Sequence, residues 1–428
     1  MLIKQLYRHY QQHPAICTDS RKVEPGVLFF ALKGDNFDGN HYALQAIEKG
    51  AHLAVVDDPK LKEEEGCFFV PDVLGALQQL AYYHRLQFEI PFIGLTGTNG
   101  KTTTKELLKA VLETTYRVHA TKGNLNNHIG VPLTLLSMPP DTEIAIIEMG
   151  ANHPGEIRAL CQIAAPTYGC ITNVGRAHLE GFGSFEGVKK TKAELYKWLA
   201  MHSGTAFINK DEKHLTQMAE MVANKYFYGT NTRDFRISPV KGQVYAGAII
   251  NEGRDNEITI QSHLIGDYNY ENIKTALAIG HYFEVGNEAL KKGIENYHPK
   301  NNRSQLVRDK AGNTIIMDAY NANPVSMDKA LRNLAAMDFR EKKKIAIIGD
   351  MLELGDESEE EHRKILFLAK SLPIDQIILV GTEFCRIASD TSCFRDVNGL
   401  KEWFSKQNIK DCVILLKGSR GIQLEKIL

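Results

Sequence analysis

The stretch "PFIGLTGTNGKTTTKELLKAVL" (91–112) constrains this chain more than any other. A bounded apolar run meets Gly97, Thr98, Asn99, Gly100, Lys101, Thr102 and Thr103, and then Leu107, Leu108, Val111 and Leu112 recur at helical spacing. A strand–loop–helix of this kind directs backbone N–H groups and the positive end of a helix dipole at one point, so it binds phosphate. Lys101 adds a point charge for β- and γ-phosphates, and the Thr102 hydroxyl can ligate magnesium. The plain alternative is an ordinary glycine-containing turn, but Gly, Gly, Lys and Thr all fall at the functional spacing after a strand. The common pattern also asks for a glycine five residues before Gly100, and that position is Leu95.

A phosphate loop belongs in a parallel sheet, and the sequence around it alternates strands and helices accordingly. "EIAIIEMG", "YGCITNVG", a helical "FEGVKKTKAELYKWLAM" and "TAFINKD" follow in turn, and shorter alternating runs over about 230–262 predict a partly antiparallel edge. Before the loop, "VLFFAL" and "HLAVV" flank a short helical stretch, "HYALQAIEKG", with Gly50 where a helix C-cap falls. After Asn301, "TIIMDAY", "KKIAIIGD", "ESEEEHRKILFLAKSL", "QIILVG", "CVILLKG" and a closing helix read as an open doubly wound fold. The chain has 428 residues, more than one core normally organises. The fold class is therefore α/β in three domains: a small module over 1–85, a central phosphate-loop domain with a mainly parallel sheet over 86–300, and a Rossmann-like domain over 301–428.

Charge narrows the function. With 51 basic and 52 acidic residues, the chain lacks the electrostatic footprint of a nucleic-acid binder. The seven cysteines are odd in number, scattered and without a C-x-x-C pair, which predicts free thiols in a reducing compartment. "MLIKQLYRHYQQHP" lacks the apolar core of a signal peptide, and no apolar run approaches the roughly 18–20 residues of a membrane span. A cytoplasmic protein is expected, and a monomer.

Glu148 ends the strand "EIAIIE", and His178 stands just after "CITNVG". Strand C-termini in an open parallel sheet gather at one crevice, so both side chains are candidates to face the phosphates and hold magnesium with Thr102. Taken singly, each has a bland reading: a solvated strand end and a loop histidine.

"TGTNGKTT" resembles the phosphate loop of the Mur ligases and the folylpolyglutamate synthetases, ATP-dependent enzymes that form amide bonds. The resemblance to the Mur ligase family runs end to end. "TKGNLNNHIGVPLTLL" (121–136), "MDAYNANPVSM" (317–327), "IGDMLELGDES" (348–358) and "LLKGSRG" (415–421) are similar to the branch that adds D-alanyl-D-alanine to UDP-N-acetylmuramoyl tripeptide. The N-terminal "TDSRKVEPGVLFFALKGDNFDGNHY" resembles the family's UDP-sugar module.

What the resemblance implies can be carried over residue by residue. Ser20, Arg21, Asn124 and Asn127 correspond to substrate contacts, and Asn209, Asp211 and Asn272 border the nucleoside. Lys192 in "TKAELY" matches a lysine that carbon dioxide carbamylates to hold a second magnesium ion. Arg303 is suited to the γ-phosphate, with Asp318 beside the nucleotide, and Asn321 and Asn323 face the acceptor. Taken alone, Lys192 reads as a solvated helix lysine and the Asn and Asp residues as caps and turns. The implied substrates are ATP, the UDP-linked tripeptide and D-Ala-D-Ala, with no nucleic acid and no membrane span. Two rivals remain: a folylpolyglutamate synthetase, which does not need the module of residues 1–85, and a nucleotide-dependent binding protein without chemistry, which does not need Glu148, His178 and Lys192 together.

Overall fold

Sheets of four, nine and six strands, with one two-residue hairpin pair, organise the described residues. The computed structural model describes residues 2–176, 179–241, 243–251, 257–299, 303–338 and 342–428. The first sheet is wholly parallel and runs in the order Ile16–Cys17, Leu28–Phe30, Leu53–Val56, Cys67–Phe69.

The central sheet places the loop strand Phe92–Thr96 between Ile144–Glu148 and Tyr168–Ile171, both parallel to it. Phe92–Thr96 and Ile144–Glu148 are buried along their whole length, as strands covered by helices on both faces must be. Their side chains alternate between two cores. Phe92, Ala145 and Ile147 point to one, and Ile93, Leu95, Ile144 and Ile146 to the other. The loop helix Lys101–Leu112 presses Leu107, Leu108, Val111 and Leu112 into the second core, against Ile273, Ala276 and Leu277 of helix Tyr270–Tyr282. Each such fully buried aliphatic contributes about 1.5–3 kcal/mol relative to exposure, so the helix start, and the phosphate loop with it, is rigidly placed. The far edge is antiparallel, from Phe235–Pro239 through Tyr245–Ile250 to Ile258–Ile265.

The third sheet has the order Gln305–Arg308, Thr314–Asp318, Val413–Lys417, Lys344–Gly349, Gln376–Val380, Ser392–Phe394 and is parallel except at its first pair. Among the described residues, no helix is long and apolar enough to cross a membrane.

The units are not separate beads. Helix Val73–Arg85 shares one continuous core with Phe92 of the central sheet and with Val131 and Leu135 of helix Gly130–Leu136. Arg85 donates to the carbonyls of Ala164 and Ala165 while its guanidinium lies 3.6 Å over the Phe92 ring.

Two expectations are corrected. The closing helix does not form. After Val413–Lys417 the chain makes two 3₁₀ turns, Arg420–Ile422 and Leu424–Ile427, because Gly418 and Gly421 interrupt the segment and Gln423 adopts φ 58°. The cysteines are not all free thiols either. Cys385 and Cys393 form a disulfide with Cα atoms 5.6 Å apart, because helix Thr382–Ile387 folds back beside the edge strand Ser392–Phe394. The other five remain thiols, with burial pushing Cys170 up to about 12.

Candidate active site

The loop takes its shape from two glycines. Gly97 has φ 145° and Gly100 φ 78°, and a Cβ on either would collide with Thr172 Oγ1 or Asn272 Oδ1 respectively. The neighbouring strand end lashes the loop down: Asn173 Oδ1 accepts from the Asn99 N–H at 3.0 Å, and Asn173 Nδ2 and Thr172 Oγ1 donate to the Asn99 carbonyl at 2.9 and 2.7 Å. Lys101 curls back, its Nζ donating to the carbonyls of Gly97 at 2.8 Å and Thr98 at 3.1 Å. Desolvation holds this lysine below its ordinary range, with Glu148 opposing and Arg303 adding to the effect.

Glu148 lies where the strand-end argument predicts and is only 1% exposed. Its Oε1 accepts from Thr102 Oγ1 at 3.1 Å and from Asn126 Nδ2 at 2.8 Å. Among the described residues its buried Oε2 has no hydrogen-bond partner, and the nearest cation is Lys105 at 3.9 Å. An orphaned carboxylate oxygen beside a loop threonine fits a divalent cation shared with phosphate oxygens. Among the described residues no group of three His, Cys, Asp or Glu side chains encloses a metal by itself. His178 lies outside the described residues.

These groups line a cavity of about 530 Å³. Thr98, Asn99, Gly100, Lys101, Thr102 and Thr103 form its floor, with Glu148 and Asn272 beside them. Asn124 and Asn127 reach it from the loop ahead of helix Gly130–Leu136, although the Asn127 carbonyl oxygen of the side chain also caps that helix through Gly130 N at 2.8 Å. Arg303, Asp318 and Asn321 close it from the third sheet.

Other candidates brace the lining or stand behind it. Asn272 braces the loop, accepting from Thr104 Oγ1 at 3.1 Å. Asn209 donates to Glu271 Oε2 at 2.7 Å, and Asp211 pairs with buried Lys274 at 2.7 Å. Burial works against the Asp211 charge, yet the Lys274 ammonium holds its carboxyl below the usual range. Lys192, 2% exposed, has no hydrogen bond or ion pair with a described residue and lies 5.5 Å from the Phe182 ring. Burial first, and then the charge of Lys101, push it well below the usual lysine range. Asn323 caps helix Pro324–Ala336 and donates to Asn99 Oδ1 at 2.7 Å. Ser20 and Arg21 sit in the turn Ser20–Lys22, where Arg21 is 85% exposed and pairs with Asp19; neither lines the cavity.

Sequence reasoning missed several participants. Asn126 and Asn173 hold Glu148 and the loop, and Lys417, 2% exposed, donates to Asp318 Oδ2 at 2.8 Å and to the Asn321 carbonyl at 3.1 Å. Lys417 stands in "LLKGSRG", a lysine ending an apolar strand at the crevice edge, and that position was its signal.

Fold and site together define a three-domain α/β protein with a phosphate-loop site in its central sheet, covered by a Rossmann-like third unit. Residues 14–84 match the Mur ligase family catalytic domain, 95–280 the Mur ligase middle domain and 302–420 the Mur ligase glutamate ligase domain. The chain is 36% identical over 425 residues, 96% of this chain and 92% of that protein, to the UDP-N-acetylmuramoyl-tripeptide–D-alanyl-D-alanine ligase of Bacillus subtilis (strain 168). Its structure is similar to MurF from Acinetobacter baumannii, with TM-score 0.87, 30% identity and coverage of 98% and 97% of the two chains. It is also similar to the MurF ligase from Thermotoga maritima in complex with ADP, with TM-score 0.84, 28% identity and 96% coverage of each chain. The chain belongs to the Mur ligase family.

Proposed function

We propose that this protein joins D-alanyl-D-alanine to UDP-N-acetylmuramoyl tripeptide, converting ATP to ADP and phosphate, as a step in peptidoglycan precursor synthesis. The observation that carries the reading is near full-length similarity to ligases of that name, on a chain whose phosphate loop, Glu148 and Arg303 surround one cavity. Residues 1–85 are assigned to the UDP-sugar end of the substrate, 86–300 to ATP, and 301–428 to closure over ATP and the acceptor. The nucleotide-linked substrates imply the cytoplasm, and a monomer suffices because one chain supplies every group named here.

A carboxylate is a poor electrophile in water, so it must be activated. An oxygen of the tripeptide's terminal carboxylate bonds to the γ-phosphorus while the bond to the β,γ-bridging oxygen breaks, giving an acyl phosphate and ADP. The amine of D-Ala-D-Ala then bonds to the acyl carbon, phosphate departs with the C–O electron pair, and the amine loses its proton. Lys101 and Arg303 set positive charge beside the transferring phosphoryl in a site that Glu148, Asn173 and Thr172 keep rigid. Thr102 and Glu148 would hold magnesium, which when bound neutralises phosphate oxygens. Lys192 suits carbamylation, since a buried, uncharged amine is a nucleophile for carbon dioxide and the product offers two oxygens to a second ion.

The test is the mass of the product formed from UDP-N-acetylmuramoyl tripeptide, ATP and D-Ala-D-Ala, together with kcat/KM for D-Ala-D-Ala, D-Ala, L-Glu and diaminopimelate. A dipeptide held by its far carboxylate aims its amine inward, and shorter acceptors misplace it. The dipeptide should be strongly preferred. Preference for free glutamate with a folate donor would overturn the reading, as would nucleotide binding without phosphate release.

A further inference from the structure

Arg303 is held in an unusual way for a cavity-lining arginine. Its guanidinium carbon lies 3.7 Å from the centroid of the Tyr320 ring, and among the described residues no carboxylate pairs with it. Arg420 reaches the same ring from "LLKGSRG", 5.2 Å from the centroid, and its Nη1 donates to Tyr320 Oη at 3.4 Å. The backbone beside Arg303 is equally constrained. Ser304 is 5% exposed and sits at φ 48°, a left-handed conformation unfavourable for a side-chain-bearing residue. Its hydroxyl is fixed by Tyr268 Oη at 3.0 Å and Asn269 Nδ2 at 3.1 Å, both from the central unit.

The physical logic concerns charge. A carboxylate partner would orient an arginine but also neutralise it and compete with phosphate for its N–H groups. An aromatic face orients the planar guanidinium through its quadrupole and leaves the edge N–H groups and the full charge available. Arg303 also lies near enough to Lys101 to disfavour that lysine's charge, so two cations converge where Glu148 offsets part of the repulsion and a bound polyanion would offset more. Ser304 fixes where the side chain starts, and the ring fixes where it ends.

We infer that Tyr320 is a positioning residue that holds Arg303 flat and uncompensated for the transferring phosphoryl, so that its ring, not its hydroxyl, sets the turnover rate. This rests on the proposed role of Arg303. It also accounts for a phenol at the cavity wall whose oxygen has, among the described residues, one long hydrogen bond, with an exposed arginine.

The experiment is a double-substitution cycle on the full chain, following phosphate release at saturating substrates, with folding checked by thermal melting. Tyr320→Leu should lower kcat on the order of tenfold while leaving KM for the UDP-linked substrate little changed. Tyr320→Phe and Tyr320→Trp should recover most of that loss, because both keep a stacking face. In an Arg303→Lys background, Tyr320→Leu should cost little more, since an ammonium does not lie flat on a ring. A wild-type kcat for Tyr320→Leu, an equal loss in both backgrounds, or Phe and Trp variants as slow as Leu would each overturn the inference. Should the Leu variant not fold, the Phe and Trp variants still decide it: high turnover supports the ring, and low turnover in a folded protein removes it. Wild-type turnover by Arg303→Lys would instead refute the role given to Arg303, a result separate from the coupling.

Discussion

At the scale of single residues, the site keeps charges uncompensated where a polyanion is to bind. Lys101 spends its hydrogen bonds on loop carbonyls, and one buried oxygen of Glu148 has no donor among the described residues. Lys101→Ala should therefore lower ADP formation by roughly a thousandfold or more, with the melting temperature little changed because Thr172 and Asn173 still tether the loop. Near-normal turnover in the folded variant would remove the phosphate-loop assignment. Lys192 presents the same logic in a different chemistry. A lysine 2% exposed, with no ion pair to a described residue, is costly as a cation and reactive as an amine. Lys192→Ala should be nearly inactive and partly rescued by short carboxylic acids that replace the lost oxygens, and depletion of bicarbonate should slow the wild type. If neither treatment changes any rate, the carbamate idea fails and Lys192 is only a buried helix residue.

At the scale of elements, three side chains from two helices add a hydrogen-bonded cluster to the joint between the first two units. Tyr10 Oη donates to the Leu136 carbonyl at 2.6 Å, so it must accept from His84 Nε2 at 3.3 Å, which leaves Nδ1 to accept from Tyr7 Oη at 3.1 Å. That tautomer is neutral, and burial holds His84 down to about 4. Against an unfolded value near 6.5, the unfolded chain binds more protons between those two values. Stability is therefore full above about pH 6.5 and falls as pH drops toward 4. The urea midpoint should fall between pH 7.5 and 5, and His84→Gln should flatten the slope; identical slopes would place the pH dependence elsewhere. Helices Leu2–Gln12 and Val73–Arg85, which build this joint, were not read from the sequence. In the first, only Leu6 among the buried residues is aliphatic, beside Tyr7 and Tyr10; in the second, Val73, Ala76, Leu77, Leu80 and Ala81 do recur at helical spacing, and that signal was passed over. Strands were legible because Ile144–Glu148 and Phe92–Thr96 are continuous apolar runs ending at Glu148 and Gly97. The same reasoning found Glu148 and missed Asn126 and Asn173. An asparagine in a loop reads as a turn former, and only tertiary packing shows what it touches. The Cys385–Cys393 bond was hidden likewise, since its spacing matches no framework and depends on a six-residue helix folding back onto an edge strand.

At the scale of the whole molecule, the third unit meets the phosphate loop directly. Asn323 does two jobs there with two atoms of one amide: Oδ1 accepts from Ser326 N at 2.9 Å to cap helix Pro324–Ala336, and Nδ2 donates to Asn99 Oδ1 at 2.7 Å. A second contact seats Gly355 of the third unit near Glu180 of the central unit. The closure over ATP proposed above would then use a helix start meeting a loop asparagine, and the two jobs can be separated. Asn323→Asp keeps an acceptor for Ser326, avoiding the roughly 1 kcal/mol cost of a lost cap, but removes the donor and faces Asn99 Oδ1 with negative charge. A hydrogen bond of about 0.5–1.5 kcal/mol corresponds to a roughly two- to tenfold change in the ratio of closed to open molecules. Asn323→Asp should therefore melt near the wild-type temperature yet show a lower kcat and a larger radius of gyration in the presence of a non-hydrolysable ATP analogue. Asn323→Ala should lose both stability and turnover. KM for the UDP-linked substrate should move least in either variant, because the proposed function assigns its nucleotide end to the first unit and Asn323 belongs to the third. A folded Asn323→Asp protein with wild-type kcat and unchanged scattering would mean that the contact between Asn323 and Asn99 only accompanies closure and does not hold it.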